Sequence, residues 1–309
     1  MIRPLLLSFL VLFPLCCGSW GFAVHRHING AAVDALQEPL RGWLAPHRPW
    51  LSEHAVDADK RKRMVEREAP RHYVDLDAPA FACLDSLGRA PWFSKAVEAC
   101  GEDSLWAYGV LPWNIEWAQA RLVEAMDARD REAILRAAAD LGHYVADAHV
   151  PLHTTLNYNG QLTGQDGIHS LWETRLPERY GGGYFLAAAP PVVVEDVGQW
   201  AWTTIRASHA AVDSVLDFER ELVEGWEGDL VVREQRGRVM QLQRVPEWCD
   251  AYHGALDGMV ERRWRHSIHG VASLWTTAWV EAGQPDLSTA LQTEPKGLLR
   301  WWRRLKSSR

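Results

Sequence analysis

Cysteine is scarce in this 309-residue chain: five residues, two of which (Cys16 and Cys17) lie within the first nineteen positions. No Cys-x2-Cys pair occurs, which argues against a thiolate zinc site. Cys83 and Cys100 can pair locally in an oxidising compartment, and the odd Cys249 argues that disulfides are not the main source of stability. Past Ser19 no run of 18 or more apolar residues appears, so no membrane-spanning helix is expected there. Gly181-Gly-Gly183 is not followed by Lys-Ser/Thr, so it is a flexible break and no phosphate loop. Glycosylation sequons and internal repeats are absent, and Pro/Gly clusters mark no domain boundary. A basic surplus is also missing. The net charge is −7, which argues against a broad basic face for nucleic acid. It does not exclude an anionic substrate, because bound metal ions can supply a local positive field.

Apolar residues make up 47% of the chain, enough for one large domain. Met1 to Ser19 reads as a signal peptide: Arg3, an apolar run from Leu5 to Leu15, then small residues. The mature chain is therefore expected to be secreted or periplasmic, with one domain over 20–290. The basic tail 291–309, which holds Trp301 and Trp302, is expected to be flexible, with a weak affinity for anionic surfaces as a sharper alternative. Most of the seventeen tryptophans are expected in the core, and a few in a cleft can stack bases or touch acyl chains.

The most informative stretch is His143-Tyr-Val-Ala-Asp147-Ala-His149-Val-Pro151-Leu-His153. His143 and Asp147 are four apart and share a helix face. Pro151 ends that helix, which leaves His153 on the turn behind it. Sixteen residues on, His169 and Glu173 repeat the i, i+4 His/carboxylate spacing. One such pair alone is ordinarily a surface ion pair or a satisfied core histidine. Two pairs with His153 between them, in a segment otherwise rich in alanine and leucine, are costly to bury unless each group is paired or ligates a metal. Five such groups exceed the needs of one tetrahedral ion, which points to a multinuclear site.

The chain is expected to be all-α, with long irregular loops and at most one short hairpin. Apolar positions from Phe22 recur at helical spacing up to Pro39. Ala69 to Asp77 alternates apolar and polar residues like a short extended piece. Residues 78–113 mix Pro, Gly and aromatics and predict turns and short helices. Helices are expected over Ile115 to Asp127, Arg129 to His149, His169 to Leu176, Trp200 to Leu222 and Pro246 to Glu281. His253, His266 and His269 are expected to be surface or core residues, with His266 and His269 as reserve ligands.

Taken in order, Trp20, His25, Asp57, His72, His143, Asp147, His153, His169 and Glu173 resemble the nine-position signature of the zinc-dependent single-strand-specific nucleases. That family is related to the bacterial zinc-dependent phospholipases C. The resemblance spans Trp20 to Glu173. It implies a mostly helical fold with three zinc ions in a cleft. One ion takes Asp57, His72, His143 and Asp147. A second takes the Trp20 α-amine and carbonyl, His25 and the bridging Asp147. The third takes His153, His169 and Glu173. It implies in-line attack on a phosphodiester by a zinc-bridging hydroxide, with Asp57 orienting the nucleophile and Lys60 or Arg61 as the stabilising cation. The family carries an Arg three residues after the Asp, where this chain has Lys60. Tyr73 and Asp75 are similar to the aromatic that stacks a base and the Asp that reads its edge. The short Trp20 to His25 gap resembles the nucleases, whereas Glu173 in place of Asp resembles the phospholipases. The expected partner is thus single-stranded nucleic acid, alternatively phospholipid, acted on by a monomer. A non-enzymatic helical protein with structural zinc is the remaining alternative.

Overall fold

The computed structural model describes residues 21–88, 90–236 and 239–290. Residues 1–19, expected to be a signal peptide, Trp20 and the tail 291–309 lie outside the described residues. What is described is mostly helical. In chain order come α1 (Phe22–Ala35), α2 (Leu40–Leu44), α3 (Arg48–His54) and α4 (Asp57–Arg61). They are followed by α5 (Phe93–Cys100), α6 (Glu102–Tyr108), α7 (Leu111–Asp127) and α8 (Arg131–Asp147). Then come α9 (Ile168–Ser170), α10 (Leu176–Tyr180), α11 (Val197–His209) and α12 (Val212–Gly225). An antiparallel hairpin, β1 (Val231–Arg236) with β2 (Val239–Arg244), precedes α13 (Pro246–Ala255) and α14 (Met259–Glu281).

Helices α1, α7, α8 and α14 pack against one another around the core, with α11 against α7 and α3 against α1 and α8. Trp113, Trp172, Trp202, Trp248 and Trp275 are fully buried there. Each such side chain removes a large apolar surface from water, a major share of the folding drive. The start of α8 is fixed by Asp130, whose side chain accepts from the Ala133 amide at the N-cap. Its alanine-rich face lets α1 approach closely. A Cβ at Gly142 would stand 2.1 Å from Asn29 Oδ1. Asn29 is itself buried and donates to Leu51 O and Ala139 O.

The expected helix across 200–222 is two helices, parted at Ala210 and Ala211, and that across 246–281 is broken at Asp257-Gly258. Both of those residues have positive φ, the geometry of an αL turn. The 69–77 piece is a 3-10 turn up to His72 and then extended. Val74 N–H donates to His153 O and Leu76 N–H to Thr154 O, like a minimal strand pair. On the other edge Asp75 N–H donates to Tyr108 O and Leu111 N–H to Tyr73 O, and Gly109, at φ +97°, permits that approach: a Cβ there would fall 2.2 Å from Tyr73 O. Cys83 and Cys100 form a disulfide, with Cα atoms 5.7 Å apart, and Cys249 is free and buried. No helix among the described residues is long and apolar enough to cross a membrane.

Candidate metal centre

Three groups of side chains converge where the first turn of α1, the middle of α4 and the C-terminal end of α8 meet the 3-10 turns that carry His72 and His153 and the short helix that carries His169. They are His25/His143/Asp147, Asp59/His72/His143 and His153/His169/Glu173, and within each group the ligand atoms lie within 4.8 Å of one another. Asp147, fully buried at the end of α8, is the hub. Its Oδ2 lies 2.8 Å from His72 Nδ1 and 3.1 Å from His143 Nε2. Its Oδ1 lies 3.5 Å from both His25 Nε2 and His153 Nδ1. In the third group His169 Nε2 stands 3.2 Å from His153 Nε2 and 3.1 Å from Glu173 Oε2. Glu173 lies in a single π-turn, Leu171–Arg175, that joins α9 to α10; such widened turns recur at functional sites.

The backbone sets the proton positions. His143 Nδ1 donates to Ala55 O, His153 Nδ1 to His72 O and His169 Nδ1 to Tyr158 O. A neutral imidazole with Nδ1–H keeps a bare lone pair on Nε2. The Nε2 atoms of His153 and His169 thus aim lone pairs at each other and at a carboxylate. That arrangement is repulsive by itself and suited to a shared cation. The buried polar atoms left without a hydrogen bond include both nitrogens of His25, Asp147 Oδ1 and both oxygens of Glu173. The donor set of imidazole and carboxylate, with its orphaned atoms facing inward, fits divalent zinc.

Electrostatics are those of a buried anion cluster beside a cation. Burial would raise Asp147, but His143 and His153 hold it well below the usual carboxylate range. Burial pushes Glu173 up to about 7 against the pull of His169. Burial, with His143 adding to it, lowers His25 to about 3, a neutral ligand-ready imidazole. Lys62 is drawn in as well, its Nζ 2.7 Å from Asp59 Oδ1. Burial disfavours its charge, but Asp59, Asp147 and Glu173 outweigh this and raise it.

Of the sequence candidates, the fold brings together His25, His72, His143, Asp147, His153, His169 and Glu173. Gly21, the first described residue, donates from its amide to Glu173 O at 3.3 Å, so the chain enters beside the cluster. Asp57 does not join it. Its carboxylate takes His54 Nδ1 at 2.5 Å and Lys60 Nζ at 2.8 Å. It faces a groove of about 610 Å³ between α3, α4 and α8. Two residues on, Asp59 projects from the other side of α4 into the cluster, 3.6 Å from His143 Nε2 and 3.8 Å from His72 Nδ1. The spacing that favoured Asp57 and Lys60, an Asp with a cation three residues later, occurs a second time as Asp59 and Lys62. Asp57 alone is the candidate named from the sequence, and spacing does not separate the two pairs. The helical turn does, because residues two apart point to nearly opposite faces. Lys60 is bound to Asp57 on the outer face, and Arg61 forks onto Asp140 and reaches Glu68 and Tyr144, so neither points at the cluster. His266 and His269 lie on α14, outside the three groups; His266 borders a second groove of about 550 Å³.

Tyr73 and Asp75 follow His72 directly. Asp75 is 8% exposed, and burial with Asp77 pushes its carboxyl up to about 7. Burial, then Asp75 and Tyr158, push the Tyr73 phenol up to about 12, which places these groups within electrostatic reach of one another. The Tyr158 ring stands edge-on to His169 at 6.1 Å. No protein-family model and no curated protein matches this chain.

Proposed function

We propose that this protein is a zinc-dependent phosphodiester hydrolase that cleaves single-stranded nucleic acid. The observation that carries the proposal is the sharing of one buried carboxylate, Asp147, by His25, His72, His143 and His153, beside a second His/His/Glu group with converging lone pairs. A structural zinc site is a closed set of four ligands, whereas the His153/His169/Glu173 group supplies three and so leaves a position for water or substrate. Asp59, His72, His143 and Asp147 would hold one ion. His25 and Asp147, with the Trp20 amine and carbonyl after processing, would hold a second, and His153, His169 and Glu173 a third. When bound, such ions polarise a phosphoryl oxygen and make hydroxide accessible near neutral pH.

The chain's own residues supply the rest. Lys62, charged beside Asp59, offers a cation to the developing negative charge on phosphorus. Asp59 orients the attacking water. In the net reaction water oxygen bonds to phosphorus, the bond to one ester oxygen breaks, and that oxygen leaves with a proton. Tyr73 and Tyr158 offer aromatic faces for a base, and Asp75 a carboxyl for its edge. This polar, aromatic rim favours nucleic acid over lipid.

A second reading, a phospholipase C acting on phospholipid head groups, is favoured by Glu173 where the nucleases carry Asp. The deciding experiment gives the purified protein single-stranded DNA or RNA, phosphatidylcholine micelles and bis-p-nitrophenyl phosphate, with metal analysis of the same preparation. Hydrolysis of nucleic acid and of the generic diester, lost with chelator and restored by zinc, is expected. Turnover of micelles alone would favour the phospholipase. Bound zinc with no hydrolysis of any substrate would favour a structural metal protein.

A further inference from the structure

We infer that Glu68 is a positioning residue that fixes which nitrogen of His72 faces the metal centre. The inference rests on the metal centre proposed above. His72 turns Nδ1 toward Asp147, His143 and Asp59, and its Nε2 away from them. Nε2 is buried and makes no hydrogen bond; Glu68 Oε1 stands 3.7 Å from it. The other three histidines with a fixed tautomer rely on backbone carbonyls, as described above. His72 has no such carbonyl, and a buried carboxylate takes its place.

Glu68 is suited to that task because its other neighbours only donate. Tyr144 O–H donates to Oε1 at 2.5 Å, and Arg61 Nη2 donates at 3.3 Å. Arg61 is in turn held by a two-pronged contact with Asp140, at 3.1 and 3.0 Å. With a phenol O–H and a guanidinium N–H both donating to it, the Glu68 carboxylate acts as an acceptor. A carboxylate facing Nε2 favours the Nε2–H tautomer and leaves the Nδ1 lone pair for the ion. The chain Asp140–Arg61–Glu68–His72 therefore runs from the groove between α3, α4 and α8 to the ligand. Arg61 makes no contact with the metal-facing side of His72, and the Tyr144 ring stands edge-on to His72 at 5.2 Å and to His143 at 5.6 Å; both hold the carboxylate behind His72.

Glu68→Gln keeps the shape but can present an amide N–H to Nε2, so it no longer enforces the tautomer. Zinc affinity, measured by competition with a chromophoric chelator, is expected to fall about 10- to 100-fold. Hydrolysis should be lost at limiting zinc and largely recovered at excess zinc, and circular dichroism should match wild type. Wild-type zinc affinity in a folded Glu68→Gln would overturn the inference. Should that variant fail to fold, nitrogen-edited NMR of the zinc-loaded wild type decides: a proton on His72 Nε2 supports it, and a proton on Nδ1 overturns it. A wild type that binds zinc but cleaves no phosphodiester would sink the proposed function and leave the role of Glu68 standing.

Discussion

Asp147 and Asp59 carry the centre at the scale of single residues, since each is buried against several imidazoles. Asp57, two positions from Asp59, is the natural control. Asp59→Asn is expected to weaken zinc binding and hydrolysis by more than the roughly 10- to 100-fold typical of outer-sphere partners. Asp57→Asn, on the outer face of α4, should leave metal affinity unchanged and stability within about 0.5 kcal/mol. The reverse pattern would return the ligand role to Asp57. Asp75 gives a pH signature. Its carboxyl rises from an ordinary 3.8 to about 7 on folding through burial and Asp77. A raised carboxyl stabilises the fold below its unfolded value, and that contribution is lost as pH rises through the folded value. Thermal melts should therefore decline with rising pH across that window, and Asp75→Asn should flatten the decline. An unchanged slope in the variant would remove Asp75 as its source.

Two elements hold the centre in shape. The first is the α1–α8 crossing at Gly142, one residue from His143. Gly142→Ala places a methyl 2.1 Å from Asn29 Oδ1, inside two packed helices. Overpacking of this kind costs about 1–3 kcal/mol. A lowered denaturation midpoint with weakened zinc binding is expected; a variant as stable as wild type would show that the crossing relaxes freely. The second is the segment 79–100, whose loop is closed by Cys83–Cys100, 17 residues apart. Closing a loop of this length contributes about 3 kcal/mol. Replacing both cysteines by serine should lower the denaturant midpoint by a matching amount, and the reductant sensitivity of the wild type should vanish in that variant. These elements were partly legible in the sequence. The apolar spacing set α8 to within two residues at each end and α7 at its C-terminal end, whereas α7 begins four residues earlier, at Leu111, than the expected Ile115. The splits at Ala210 and at Asp257-Gly258 were not, because the apolar pattern runs through both.

For the whole molecule, the proposed metal centre would make folding and metal binding one equilibrium. The Nε2 lone pairs of His153 and His169 and the Glu173 carboxylate face one another, and both nitrogens of His25 and Asp147 Oδ1 are buried without a hydrogen bond. An ion that binds only the folded state stabilises it by mass action, about 2.7 kcal/mol at a free concentration 100 times the dissociation constant. Chelation should therefore lower the melting temperature and zinc should restore it, with magnesium less effective because imidazole ligands suit zinc. A melting temperature indifferent to chelator and zinc would remove the metal centre itself. Processing belongs to this scale as well. Extra residues before Trp20 would displace the α-amine, so a chain that retains Met-Ser ahead of it should lose most hydrolysis; full activity would exclude Trp20 as a ligand.

By itself the sequence determined a helical chain and most of the groups that the fold brings together, since 3.6-residue periodicity and i, i+4 spacing are local properties read from neighbours. His143 with Asp147, and His169 with Glu173, needed nothing more. What only the tertiary structure decided is which groups share a point in space. Asp59 and Lys62 displaced Asp57 and Lys60 because the rotation of a short helix against α8 selects one face. Glu68 entered because Tyr144, distant in sequence, closes around it together with Arg61. Such choices depend on packing between segments far apart in the chain, and no local spacing encodes them.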